Sequence, residues 1–256
     1  MTTDTALIQT QQPEPSARRV QRIRHPLVRR ELKVLRVESP SPQLRSVTLG
    51  GPALEGFISA SFDDHLKLLL DLGGPEPVRR DYTPRRHAAA AGELTIEFAL
   101  HGDGPAAAWA AQAEPGQTVA IGGPRGSLVI DLDHDWHLLV GDETALPAIA
   151  RRLEELPAEA TAIVIGQVDE ASEQRQFNTR AKLDLHWAAD AQGVIDALRA
   201  LTLPAGDGFA WCAGEAKAVA AQRRVLVEEK GLGKHAIRAA AYWKQGTPAH
   251  HENLED

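Results

Sequence analysis

The chain has 256 residues, of which 43% are hydrophobic and 25% charged, with a formal net charge of -7 at pH 7; these are the proportions of a water-soluble globular protein of one or two domains. A single cysteine, Cys212, excludes an intramolecular disulfide, a multi-cysteine iron–sulfur cluster and a cysteine-rich zinc site. The acidic balance argues against nucleic acid as a partner, and no apolar run approaches the roughly 20 residues of a membrane span.

The first stretch, MTTDTALIQTQQPEPSARR, lacks a basic region followed by an apolar run. It does not read as a secretory signal but as a polar tail over 1–20, and the protein is expected to be cytoplasmic. Residues 17–36, ARRVQRIRHPLVRRELKVLR, form the one strongly basic segment. It reads as a solvated strand edge, as a rim attracting a small anion, or as a nucleic-acid contact, the first being favoured.

From 28 to 132 the segments are short and strand-like: VRRELKVLRVE, LRSVTLGG, HLKLLLDL, GELTIEFAL and QTVAIGG, separated by Gly, Pro and Asp. Such spacing predicts a small antiparallel barrel. One helix interrupts it, PAAAWAAQA at 105–113, with Pro105 suited to its first turn. After DLDHDW (131–136) the order becomes HLLVGD, TALPAIARRLEELP, TAIVIGQV, LDLHWAA, AQGVIDALRAL, GFAWCAGE, AKAVAAQRRVLVEEKGL and AIRAAAYW. Strand alternating with helix predicts a parallel sheet covered by helices. The fold class is therefore β plus α/β, with domains at 21–133 and 134–250 and a short tail at 251–256.

Four short stretches carry chemistry. In RDYT (80–83), alternation along a strand places Arg80 and Tyr82 on one face and Thr83 on the other unless the chain twists. An aromatic ring, a cation and a hydroxyl suit a flat ligand with a phosphate, although four residues alone equally describe a surface turn. In FALHGDGPAAAWA (98–110) a strand enters a glycine turn and then a helix, where free amides can meet an anion. In LLVGDETALPAI (138–149) and in WCAGEA (211–216) a strand end meets a helix start, the usual place for ligands in open α/β sheets. GLGKHA (231–236) matches a dinucleotide fingerprint in letters only, because it follows a helix and precedes a strand. GPRGS (125 at its centre) reads as a tight turn into a strand.

The ordered set RDYTPR, LHGDGPAAAWA, GPRGS, VGDETALPAI, WCAGE and AAYWKQG resembles the siderophore-interacting protein family, flavin-dependent ferric-siderophore reductases of the ferredoxin–NADP⁺ reductase superfamily, over residues 20–250. The resemblance implies an FAD-binding barrel followed by a nicotinamide-nucleotide domain, with ferric siderophore as substrate. It implies FAD contacts at Arg80, Tyr82 and Thr83, and a diphosphate loop at His101, Gly104, Pro105 and Ala106. Asp142, Glu143 and Thr144 would lie where the domains meet, Ala213, Gly214 and Glu215 would face the nicotinamide nucleotide, and Trp243 with Tyr242 would lie beside the flavin. His65 and Lys67 would line the flavin's open face, and Arg45 would join Lys67 in a substrate pocket. No catalytic acid or base and no resident metal is implied. The donor is NADPH or NADH: Asp169 and Glu170 suit a ribose diol and Arg175 a phosphate, with the family leaning to NADPH. A flavin-containing siderophore carrier reduced by ferredoxin is the alternative.

Overall fold

The computed structural model describes residues 20–71, 73–100, 104–247 and 252–253. His101, together with the neighbouring 102 and 103, lies outside the described residues.

The first half is built of β1 (Val20–Arg24), β2 (Arg29–Ser41), β3 (Leu44–Gly50), β4 (Leu66–Leu70), β5 (Val78–Tyr82), β6 (Arg86–Ala88), β7 (Glu93–Ala99), the helix α1 (Pro105–Ala111), β8 (Thr118–Gly122) and β9 (Gly126–Ile130). Seven of these strands form one antiparallel sheet in the order β5-β4-β8-β2-β3-β7-β6, and β1 pairs with β9 as a separate ribbon. Alternation builds the core: Leu94, Ile96 and Phe98 of β7 point inward to meet Leu32, Val34, Val47, Leu49, Leu66 and Leu68. Strands β2, β3, β4, β5, β7 and β8 share this core, and no ladder joins β5 to β6 among the described residues, so the antiparallel sheet is present but the expected barrel is not closed by pairing there. Those two strands are linked instead through Thr83–Arg85.

The second half contains β10 (Trp136–Gly141), α2 (Leu146–Glu155), β11 (Thr161–Gln167), β12 (Lys182–Ala188), α3 (Ala191–Ala200), β13 (Gly208–Glu215), α4 (Ala216–Arg224), β14 (Ile237–Trp243) and β15 (Glu252–Asn253). Strands run β12-β11-β10-β13-β14 in parallel, and the two-residue β15 adds antiparallel to the edge. β10 is buried along its whole length, as expected for a central strand covered on both faces. The stretch expected as one long helix from 216 divides: α4 widens into a π-helical turn over Val225–Glu229, with Lys230 N–H donating to the Val225 carbonyl at 3.0 Å.

The two sheets are joined by side chains with opposite charges. On β7 the residue between the inward Ile96 and Phe98 is Glu97, which points toward the second half. Glu97 accepts from Arg175 Nη1 at 2.7 Å and pairs with Arg85 Nε at 3.4 Å. Arg85 also reaches Glu154 of α2 at 2.6 Å. Arg151, one turn earlier on α2, donates to Ser59 O at 3.0 Å and Pro84 O at 2.9 Å. Arg152 donates to Ile130 O at 3.0 Å and lies 5.0 Å over the Phe62 ring. These bonds fix the two halves in one orientation and so define the crevice between them.

Removing the Glu97 carboxylate leaves two mostly buried guanidinium groups short of their shared partner. Glu97→Ala is expected to lower the unfolding free energy by about 3 kcal/mol, read from the urea midpoint at unchanged slope. A loss under about 0.5 kcal/mol would mean that solvent replaces the pair, as at an exposed site.

Candidate functional site

Two adjoining cavities occupy the crevice and share Glu97, Ala99 and Glu143. The smaller, about 250 Å³, takes His65, Arg80, Tyr82 and Thr83 from the curled sheet, Gly104 and Ala106 from the start of α1, Glu143 and Thr144 from the entry to α2, and Tyr242 and Trp243 from the end of β14. Pro105 opens α1, so it withholds no donor from the ladder, and the Ala106 and Ala107 amides precede the first helical bond, which Ala108 N–H donates to the Gly104 carbonyl at 2.9 Å. The larger cavity, about 790 Å³, extends along α2 and the 168–178 segment that follows β11.

All four residues of RDYT, Asp81 included, line the smaller cavity, so its wall does not follow strand alternation. β5 ends at Tyr82, Pro84 follows, and the chain leaves the pleat, so Thr83 turns to the same cavity as its neighbours. The Tyr82 ring packs 4.4 Å from Phe98, and burial raises its phenol to about 12. Arg80 lines the cavity half-buried and donates to the Arg79 carbonyl at 2.8 Å.

Asp142 lies behind the cavity wall rather than on it. It follows β10 at the position where strand order reverses between β10 and β13, the switch point of the parallel sheet. Its carboxylate, 7% exposed, accepts from Thr144 N at 3.0 Å, Thr144 Oγ1 at 2.5 Å, Glu215 N at 2.9 Å and Trp243 Nε1 at 2.8 Å. Burial pushes this carboxyl up, and the four donors oppose the shift. Ala213 and Gly214 are buried behind it, while Glu215 caps α4 by accepting from Lys217 N at 2.6 Å and Ala218 N at 3.0 Å. None of these three lines either cavity.

Of the residues expected at the open face, His65 lines the smaller cavity and Lys67 does not. Lys67 lies opposite Asp81 in the β4–β5 register, and its ammonium meets that carboxylate at 2.6 and 2.8 Å. Arg45 bonds Ser39 and lines neither cavity. In the larger cavity Asp169 and Glu170 lie on the wall, and Arg175 is held by Glu97.

Some wall and support residues carried no motif. Glu97 was legible as the polar phase of a strand whose other phase is core, but its role depends on what faces it. Asp63 gave no local signal at all. It pairs with Arg238 and accepts from the Tyr242 hydroxyl at 3.1 Å, across 179 positions of sequence. Cys212 is buried in β13, and burial raises its thiol to about 12.

An antiparallel curled sheet joined to a five-strand parallel sheet, with a cavity at the switch point between them, defines a two-domain nucleotide-binding protein. A siderophore-interacting FAD-binding domain matches residues 33–75 and 71–128, and a siderophore-interacting protein domain matches 134–246. The NADPH-dependent ferric-chelate reductase of Escherichia coli is 38% identical over 249 residues, covering 87% of this chain and 96% of that protein. The ferric vibriobactin reductase of Vibrio cholerae is 33% identical over 251 residues, covering 87% of this chain and 93% of the relative. The crystal structure of a siderophore utilization protein from T. fusca superposes with a TM-score of 0.84 at 32% identity, over 90% of this chain and 98% of the other. The chain belongs to the siderophore-interacting protein family.

The Asp142 cluster leaves no room for a side chain at Gly214. That glycine has φ 140, and a Cβ there would collide with the Asp142 carboxylate. Gly214→Ala is expected to destabilise by about 2–4 kcal/mol. Gly246 also has positive φ but faces open space; Gly246→Ala is expected to cost about 1 kcal/mol. Thermal unfolding of both variants separates the steric collision from the backbone preference.

Proposed function

We propose that the protein is an NAD(P)H-dependent ferric-siderophore reductase that binds FAD in the smaller cavity and acts in the cytoplasm. Residues 21–133 form the flavin half and 134–250 the nicotinamide half. One observation carries the reading: Tyr82, Thr83, Gly104, Ala106, Thr144 and Trp243, from four separate stretches of chain, converge on a single cavity at the switch point. The donor set fits a flavin, since it offers aromatic faces, a hydroxyl, backbone amides at a helix start and one half-buried cation.

FAD, when bound, accepts hydride and passes on single electrons. The chain's residues do the rest. Tyr82, backed by Phe98, and Trp243, held by Asp142, offer flat surfaces for the ring system. Gly104, Pro105 and Ala106 face the diphosphate, with Arg80 on the wall. His65 borders the face left to a ferric siderophore, whose iron is the substrate and is released when reduced, because such chelators hold Fe(II) weakly. No side chain is needed as a general acid or base for electron transfer, so the protein's work is placement, exclusion of water and setting of potential.

The test is an anaerobic absorbance spectrum of the FAD-loaded protein, before and after NADPH or NADH and then after a ferric siderophore. Bleaching by the nucleotide and return of colour with the ferric complex is expected. Flavin that stays oxidised with both nucleotides but bleaches with reduced ferredoxin would replace the donor assignment. Tyr82→Ala is expected to weaken FAD binding by about tenfold or more through lost ring contact, measured by fluorescence titration.

The larger cavity is where the donor's adenosine half would lie. Its arginines are already paired, and Asp169 at the end of β11 would face a 2′-phosphate unfavourably. Asp169→Ala is therefore expected to raise kcat/KM for NADPH relative to NADH by about threefold, measured by steady-state kinetics with both donors. An unchanged ratio would place the adenosine elsewhere.

A further inference from the structure

The basic segment that stands out in the sequence is not used by the crevice. Arg24, Arg29 and Arg125 line neither cavity, and none of the three is ion-paired among the described residues. Strand pairing brings them together. Arg24 lies opposite Gly126 in the β1–β9 register, Arg29 lies opposite Gly122 in the β2–β8 register, and His25 N–H donates to the Arg125 carbonyl at 2.9 Å. Three exposed guanidinium groups therefore flank the turn between β8 and β9. Apolar side chains stand among them. Leu27 is 62% exposed and sits over that turn, where a Cβ on Gly123 would lie 3.9 Å from its Cδ1, and the exposed Val28 follows it. Ile58, also exposed, belongs to a segment held alongside: Arg30 lies over the Phe57 ring at 5.5 Å, and Ala60 N and His25 Nε2 both meet Ser127 Oγ, at 3.2 and 2.8 Å. We propose that this surface, Leu27, Val28 and Ile58 flanked by Arg24, Arg29 and Arg125, docks the protein on an anionic lipid membrane.

The occupant follows from the mixture of side chains. Phosphate-bearing headgroups answer the cations, each of which adds about fivefold in affinity near an anionic bilayer. Cations alone would suit a nucleic acid or an acidic protein equally well. Leu27 decides between them. A nucleic-acid backbone gains nothing from a protruding leucine, and a protein partner needs a pocket shaped to it, whereas acyl chains at a lipid surface accept it without one. The formal charge of the whole chain is -7, so the rest of its surface is repelled by the same lipids and this face turns toward them. Of the acids on the outward face of these strands, Glu31 stands two residues beyond Arg29, and Asp81 is paired with Lys67. No helix among the described residues is long and apolar enough to cross a membrane, so the contact is with the surface of the bilayer.

Docking there also orients the crevice. Arg29, Gly122, Lys67 and Asp81 are successive partners across β2, β8, β4 and β5. Neighbouring strands lie about 4.8 Å apart, so three steps along the sheet put Arg29 about 15 Å from Asp81, which lines the smaller cavity. The side of that cavity formed by Asp81 is therefore held close to the membrane surface.

The test is co-sedimentation of the full chain with vesicles of phosphatidylcholine alone and of equal parts phosphatidylcholine and phosphatidylglycerol, at about 10 mM and about 150 mM salt. Binding to the anionic vesicles that weakens with salt, and none to the neutral ones, is expected. The triple variant Arg24→Gln/Arg29→Gln/Arg125→Gln is expected to bind about a hundredfold more weakly, and the lysine triple at the same positions to bind like the wild type. Leu27→Ser is expected to weaken binding about tenfold. All four side chains are exposed, so thermal unfolding of the variants should match the wild type. Absence of binding to anionic vesicles at the lower salt, or a glutamine triple that binds like the wild type, would overturn the inference. Full vesicle binding by Leu27→Ser would do the same, as would a DNA duplex that displaces the vesicles and binds both forms equally, because the cations would then serve a partner with no apolar surface. The readout does not involve FAD, so it is independent of the flavin reading.

Discussion

The site depends on one buried carboxylate. Asp142 follows β10, the central strand of the parallel sheet, and takes donors from the start of α2, from the end of β13 and from the end of β14. Three strand ends are thereby held within reach of one side chain. Ionising a carboxyl group out of water is costly, and only a full set of donors offsets that cost. Here four donors oppose that cost without cancelling it, two of them backbone amides at the ends of elements. The close approach of β13 to Asp142 explains why Gly214 is glycine: both its φ and its missing Cβ are required at that point. Through the indole bond, the same carboxylate decides where Trp243 lies, and hence the shape of the cavity on the nicotinamide side.

A second carboxylate plays the matching part on the flavin side. Asp63 comes from the segment before β4, yet both of its partners, Arg238 and Tyr242, lie on β14. With Glu97 and Glu154 it belongs to a set of acids that tie the two halves together through arginines. These contacts leave few uncommitted cations facing the crevice. Arg175 and Arg85 are paired within it, and Lys67 is paired beside it. On the proposed reading, binding of anionic ligands falls to Arg80 and to backbone amides, whose partial charges are fixed in place and need no desolvated counter-ion.

Much of this was legible in the sequence. Period-two runs up to Ile130 and strand–helix alternation after Trp136 define the two sheets, and the glycine-bearing strand ends mark the crevice. RDYT announced its cluster: all four of its residues line the smaller cavity, Thr83 included where Pro84 ends the pleat. Lys67 and Arg45 were expected at a substrate pocket from their charge. Their actual partners, Asp81 across a ladder and Ser39 across a hairpin, depend on register, which no single strand states. The WCAGE loop was expected to face a nucleotide; its residues line neither cavity, cap α4 and close around Asp142, since a strand end next to a helix start serves capping as readily as ligand binding. Asp63 was invisible because its meaning lies wholly in residues 175 and 179 positions away.

On the proposed reading, a cofactor cavity between two separately folded sheets suits the chemistry it would serve. A flavin that exchanges hydride on one side and single electrons on the other needs two accessible faces, and a cavity inside one core could expose only one. A crevice offers both, but only if its walls do not drift. The ion pairs across it supply that rigidity, and being mostly screened from solvent they lose little to salt. The contacts from Arg238 through Asp63 to Tyr242 cross the same joint, so the contact that aligns the domains also holds a side chain of the cavity wall. A change that loosens the joint should therefore alter the electronic environment of the cavity as well as the stability of the fold, because one set of side chains serves both.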